Sequence, residues 1–226
     1  MSAITAITAQ NTVAVTGVYP LPPEAIVEQV RAVVEDIGVD AVKIGMLGTA
    51  ETIAAVDRAL DLVGDAPVVL DPVMVSETGA RLLDETAEQA LREVLLPRVT
   101  VVTPNLPEAR VLAQAGDTAA PEQLAKAIHA LGPKAVVVTG GHREQAIDVF
   151  FDGEQLVELP GERHPEGSAH GSGCTHSSVL AAYLARGKDP LDAARAAKQL
   201  ASEAVRNGLR DIGAGPGPVD VLGLGG

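Results

Sequence analysis

The residues with the clearest chemical potential lie in one run, Ala169-His170-Gly171-Ser172-Gly173-Cys174-Thr175-His176, which leads into Ser177-Ser178-Val179-Leu180-Ala181-Ala182-Tyr183-Leu184. Two glycines spaced by one residue stand before a helix-forming segment, and the chain's single cysteine sits at the turn. Such a turn presents backbone N–H groups without partners, together with the positive end of a helix dipole. That combination binds anions, phosphate most often. A cysteine placed there is expected to be acidified toward thiolate. Gly171, Ser172 and Gly173 are therefore candidates for a phosphate cradle with Cys174 beside it. The plain alternative is a glycine turn with a small residue packed under a helix.

The elements that must position this run follow from its hydrophobic pattern. Short β-branched runs at residues 4–9, 41–44, 67–70, 99–102 and 135–138 read as strands. Helical patterns cover residues 22–37, 50–63, 84–96, 107–114, 121–131, 175–186 and 190–207. Residues 146–151 and 155–159 read as a hairpin turning at Asp152-Gly153, and the glycine-rich stretch 213–217 as loop. Strands alternating with helices argue for one domain, an α/β fold of three layers with a mostly parallel sheet.

In open α/β sheets, ligands bind beyond the carboxyl ends of the strands. Those ends carry Gly45-Met46, Asp71-Pro72-Val73-Met74, Thr103-Pro104-Asn105-Leu106-Pro107-Glu108 and Thr139-Gly140-Gly141-His142. The turn before Cys174 can reach the same edge. Each piece also has an ordinary explanation. Asp71-Pro72 is a common strand-ending turn. Asn105 and Glu108 have the spacing of a capping box. Thr139-Gly140-Gly141 can be a tight turn, and Met46 can be core filler. Their convergence on one edge is the argument for an active site.

Composition narrows the partners. The chain has 226 residues, 46% of them hydrophobic, and a formal net charge of -13. No basic cluster is present, which argues against nucleic acid and anionic membranes. A phosphate-handling protein of this charge must use local backbone N–H groups and a metal ion. One cysteine excludes an internal disulfide and fits a reducing, cytoplasmic setting. No apolar run is long enough to span a bilayer. A P-loop sequence is absent, and Gly213, Gly215 and Gly217 do not match the dinucleotide fingerprint. His164, His170, Cys174 and His176 fit no usual zinc spacing. A thiol hydrolase built on Cys174, a histidine and Asp71 is conceivable chemically, but leaves Asn105, Glu108 and the Thr139 turn unexplained.

Taken together, six segments resemble the ribokinase-like superfamily, specifically the hydroxymethylpyrimidine/phosphomethylpyrimidine kinases of thiamine biosynthesis. They are Ser2–Thr12, Lys43–Leu47, Leu70–Met74, Thr103–Ala109, Gly140–His142 and His170–Thr175, in the family's order and spanning nearly the whole chain. The resemblance implies ATP- and Mg2+-dependent phosphorylation of 4-amino-5-hydroxymethyl-2-methylpyrimidine and of its monophosphate, by a cytoplasmic homodimer. It implies that Gln10 hydrogen-bonds the pyrimidine ring while Met46 and Val73 pack on it. Gly171, Ser172 and Gly173 would form the anion hole, and Cys174 would stand in the catalytic base position. Asn105, Thr139, Gly141 and Thr175 would face ATP and its phosphates. Asp71 and Glu108 would serve magnesium, and the helices after Thr175 would cover the adenine. A pyridoxal kinase of the same fold and an inactive ligand-binding module are the alternatives.

The chain departs from the family at two points. Members carry a strand, a glycine-rich loop and a helix ahead of the Ser2–Thr12 segment, about 30 residues or more. The sequence therefore reads as N-terminally truncated, with the expectation of low stability or activity. Thr139 stands where many members have a lysine that faces the ATP phosphates.

Overall fold

Strands β1 (Ala6–Gln10) and β2 (Val15–Pro20) form an antiparallel hairpin apart from the main sheet. The structure is a computed structural model that describes residues 1–75, 82–140 and 146–224. Among them the main sheet has six strands in chain order: β3 (Val42–Ile44), β4 (Val68–Leu70), β5 (Val101–Val102), β6 (Ala135–Val138), β7 (Asp148–Phe151) and β8 (Leu156–Leu159). Strands β3 to β6 run parallel, and β6 to β8 antiparallel.

Period-two alternation divides the core between two faces. Leu70, Val102, Val136 and Val138 join a cluster with Ile26, Ile53, Leu91, Leu112 and Leu124. These belong to the helical side formed by α1 (Pro23–Asp36), α2 (Ala50–Leu60), α3 (Glu85–Ala90), α4 (Leu106–Ala113) and α5 (Pro121–His129). The intervening residues Val69, Val101, Ala135, Val137 and Phe150 pack with Leu180, Leu184 and Ala197. Those lie on α6 (Ser172–Ala185) and α7 (Pro190–Arg206). Buried Ala193, Ala194 and Ala197 let α7 approach closely. A sheet buried on both faces needs continuous apolar strands, as β4 and β6 have.

The expected α/β three-layer architecture is present, with three local differences. Residues 15–20, not read as a strand, pair with β1, because Gly17 and Pro20 interrupt their alternation. The helix expected over 84–96 is α-helical through Ala90 and then loosens into a π turn (Leu91–Leu95) and a 3-10 turn (Leu96–Arg98). Pro97 lacks the N–H that a continuing α-helix would use. Helix α6 starts at Ser172, three residues before the expected Thr175, because Gly171 adopts the left-handed conformation at the N-cap (φ 87°). Among the described residues no helix is long and apolar enough to cross a membrane.

Candidate active site

Neighbouring strand ends are stitched together at one edge. The Asp71 N–H donates to Ile44 O, Thr103 N–H to Leu70 O, and Thr139 N–H to Pro104 O, each at 2.9 Å. This brings Asp71, Asn105 and Thr139 into line, with Asn105 and Thr139 joined by a parallel bridge. Helix α6 meets that line end-on. Ser177 Oγ donates to Asp71 Oδ2 at 3.1 Å. The free face of Gly173 looks toward the same oxygen, 4.0 Å from where a Cβ would stand.

The glycine turn is braced by the C-terminal segment. His170 N–H donates to Gly217 O at 3.3 Å, and Val219 N–H donates to His170 O at 3.0 Å. Of the expected cradle, Ser172 is the residue whose N–H is already taken. The Ser172 N–H is consumed by Ala169 O, and the Thr175 N–H by Gly171 O, both at 2.9 Å. Among the described residues no carbonyl accepts from the N–H of Gly171, Gly173 or Cys174. Gly171 also supplies the cap conformation. These N–H groups at a helix start are the candidate anion site.

Glu108 satisfies both of its sequence readings. Its Oε2 accepts from the Asn105 N–H at 2.9 Å, and Asn105 Oδ1 accepts from the Glu108 N–H at 2.9 Å, so the capping box exists. Its Oε1 accepts from the Met74 N–H at 3.4 Å. Burial pushes the Glu108 carboxyl up to about 7, against the hydrogen bond from Asn105 and with the help of the negative charge of Asp71. Asp71 is buried too and pairs with Lys43 Nζ at 3.5 Å. Two hard carboxylates placed so that Asp71 raises the proton affinity of Glu108 are a donor set a cation would relieve. Magnesium keeps most of its waters and needs one or two carboxylates, so Asp71 and Glu108 fit it. Among the described residues no group of three histidine, cysteine or acidic side chains is gathered closely enough to hold a metal ion.

The expected acidification of Cys174 does not occur. The residue is exposed at the helix start. Crowding of its sulfur by the surroundings pushes the thiol up, against the pull of Lys43 and with the push of Asp71 and Glu108. Burial of the sulfur is the largest of these effects.

The substrate-side residues are more scattered. Half-buried Met46 accepts from Thr5 Oγ1 through its carbonyl at 2.9 Å. It lines a cleft of about 630 Å³ beneath the hairpin, with Ala6, Val18 and Leu83. Val73 lies just beyond β4 and outside that lining, and Gln10 is exposed at the end of β1. Among the described residues the Gln10 side chain makes no hydrogen bond. Gly141 and His142 lie outside the described residues. A second cleft of about 420 Å³ lies between β8 and α7, lined by Pro160, His164, Lys198, Ser202 and Arg206.

Four residues were missed from the sequence: Lys43, Ser177, Asp148 and Lys198. A charge inside the otherwise apolar run Ala146-Ile147-Asp148-Val149-Phe150-Phe151 was the available signal for Asp148. Lys43, Ser177 and Lys198 carry no local signal, since their partners are distant in sequence.

Residues 1–220 match the phosphomethylpyrimidine kinase family. A hydroxymethylpyrimidine/phosphomethylpyrimidine kinase of Rhizobium meliloti (strain 1021) is 47% identical over 224 residues, covering 96% of this chain and 84% of that protein. Among solved structures, an ADP complex of Bacillus subtilis pyridoxal kinase superposes with a TM-score of 0.89 at 36% identity, over 99% of this chain and 86% of that one. A phosphomethylpyrimidine kinase from Clostridium difficile 630 gives 0.78 at 35% identity, over 91% and 86%.

Proposed function

The chain belongs to the phosphomethylpyrimidine kinase family, and on that premise we propose that it transfers phosphoryl groups from ATP to 4-amino-5-hydroxymethyl-2-methylpyrimidine and then to its monophosphate. It is a phosphotransferase of thiamine biosynthesis. The observation that carries the assignment of residues is the meeting of unpartnered N–H groups at Gly173 and Cys174 with the Asp71 carboxylate.

Phosphoryl transfer needs positioning and charge stabilisation more than covalent help from the protein. The Gly173 and Cys174 N–H groups supply fixed dipoles where charge develops on the transferring group. Asp71 and Glu108 would hold magnesium, which supplies charge neutralisation of the ATP phosphates when bound. Asn105 keeps its side-chain N–H2 for a phosphate oxygen while its Oδ1 caps α4. Thr139 and Thr175 offer hydroxyls to the same phosphates. Cys174, whose thiol holds its proton at neutral pH, orients the substrate hydroxyl instead of deprotonating it. A loose transition state makes no demand for a strong base. Met46, Val73 and Gln10 would contact the pyrimidine. The cleft between β8 and α7 would take the nucleotide base.

The test is ADP formation from Mg-ATP with the pyrimidine, with pyridoxal or with no acceptor, and mass spectrometry of the product. Pyrimidine-dependent ADP and a diphosphate product are expected. Turnover with pyridoxal alone would overturn the substrate assignment, and no acceptor-dependent ADP from folded protein would leave the binding module.

A further inference from the structure

Asp148 opens β7 with 1% of its surface exposed, where an apolar residue would pack without penalty. A buried carboxylate persists only with a counter-charge and hydrogen bonds. Its Oδ1 has both: Lys198 Nζ at 2.6 Å from α7 and the Gly140 N–H at 2.8 Å. Lys198 also lines the cleft between β8 and α7. Gly140 lies two residues beyond the end of β6 and has no room for a side chain, because a Cβ would collide with the Ile147 carbonyl just before Asp148. On its other side, Thr139 donates to Pro104 O. The Thr139-Gly140 segment is thus clamped from both flanks.

His176 completes the group. It is buried on α6, two residues beyond Cys174 and next to the Ser177 that bonds Asp71. Its Nε2 lies 3.6 Å from Asp148 Oδ2. Among the described residues neither ring nitrogen nor that carboxylate oxygen has a hydrogen-bond partner. Burial holds the ring below its ordinary value, and therefore neutral, despite Asp148.

We propose that Asp148, bridged to Lys198, is a positioning residue for ATP: it fixes the Gly140 peptide so that the Thr139-Gly140 segment meets the nucleotide in one geometry. The inference rests on the kinase reading above. Lys198 joins the base cleft to the phosphate edge, and His176 backs the carboxylate from the helix that bears the anion site. The charge is retained for geometry, since packing alone would favour an apolar residue at this place.

The experiment measures Mg-ADP affinity by calorimetry and steady-state constants for wild type, Lys198→Met, Lys198→Arg, Asp148→Leu and the double variant Asp148→Leu/Lys198→Met. Expected is a rise of about tenfold or more in the ATP KM and the Mg-ADP Kd for Lys198→Met and Asp148→Leu, as a shift of 1.4 kcal/mol gives. The pyrimidine KM and kcat should stay within about twofold, and Lys198→Arg should recover most of the affinity. The double variant carries no buried unpaired charge, so it should recover thermal stability while its ATP KM stays high. Recovery of the ATP KM together with stability would overturn the proposal, as would equal losses for both substrates. If Asp148→Leu alone does not fold, the double variant and Lys198→Met are read by the same criteria. Wild type that binds no Mg-ADP would overturn the kinase reading and this inference with it. Wild-type binding that the variants leave unchanged would overturn this inference alone.

Discussion

Glu108 ties the site's chemistry to the protein's stability. Its carboxyl rises from an ordinary 4.5 to about 7 on folding, because burial and the neighbouring Asp71 disfavour the charge. A raised acid contributes its full stability below about pH 4.5 and loses it as the pH climbs to 7. Above that, the ionised group costs about 3 kcal/mol. Urea unfolding of Glu108→Gln should therefore show greater stability than wild type at pH 8 and little difference at pH 4.5. Turnover of the same variant should fall about 10–100-fold, the usual loss on removing a group that serves a metal. Matching pH profiles for the two proteins would refute the assignment. Cys174 gives a second check. Its thiol is pushed up, so iodoacetamide should alkylate it slowly at pH 7 and fast only in alkaline solution, with Mg-ATP slowing the reaction. Rapid alkylation at neutral pH would restore the thiolate and, with it, a catalytic base.

At the scale of elements, the start of α4 combines structure and function in one residue. Asn105 caps the helix through Oδ1 and lies beside Thr139 on the strand-end line. Asn105→Ala should cost about 1 kcal/mol through the lost cap. Asn105→Ser restores a capping oxygen but not the side-chain N–H2 aimed at phosphate. The serine variant should therefore unfold like wild type while its ATP KM rises. Serine with full ATP affinity would reduce Asn105 to a cap, which is the plainer of its two sequence readings. The start of α6 repeats this economy. Gly171 turns the chain with φ 87°, and that turn is what leaves the next N–H groups open.

For the whole molecule, the N-terminal hairpin is the conspicuous surface. Ile7 and Tyr19 face each other in its register and are both exposed, at 59% and 62%. A two-stranded hairpin with an uncovered apolar face has little independent stability. The homodimer implied by the family resemblance would bury this face, and we propose that it does. Sedimentation should give a dimer for wild type and a monomer for Ile7→Lys/Tyr19→Ser. A monomeric wild type would remove the dimer from the account.

The amino-acid sequence by itself determined the layers and the identity of the site's edge. Apolar runs such as Ala135–Val138 read as strands buried on both faces, which they are, and the breaks after Leu70, Val102 and Val138 mark the edge where a ligand is expected. It also carried the motif order by which the family was legible. Only the tertiary structure decided what depends on distant partners. Which N–H groups stay open hangs on carbonyls at Ala169 and Gly171 and on the brace from Gly217–Val219. The proton on Cys174 hangs first on burial of its sulfur by the surrounding elements, then on Lys43, Asp71 and Glu108 brought from other strand ends. Asp148 and Lys198 lie 50 residues apart, and no local pattern reveals a pair that exists only when β7 and α7 pack.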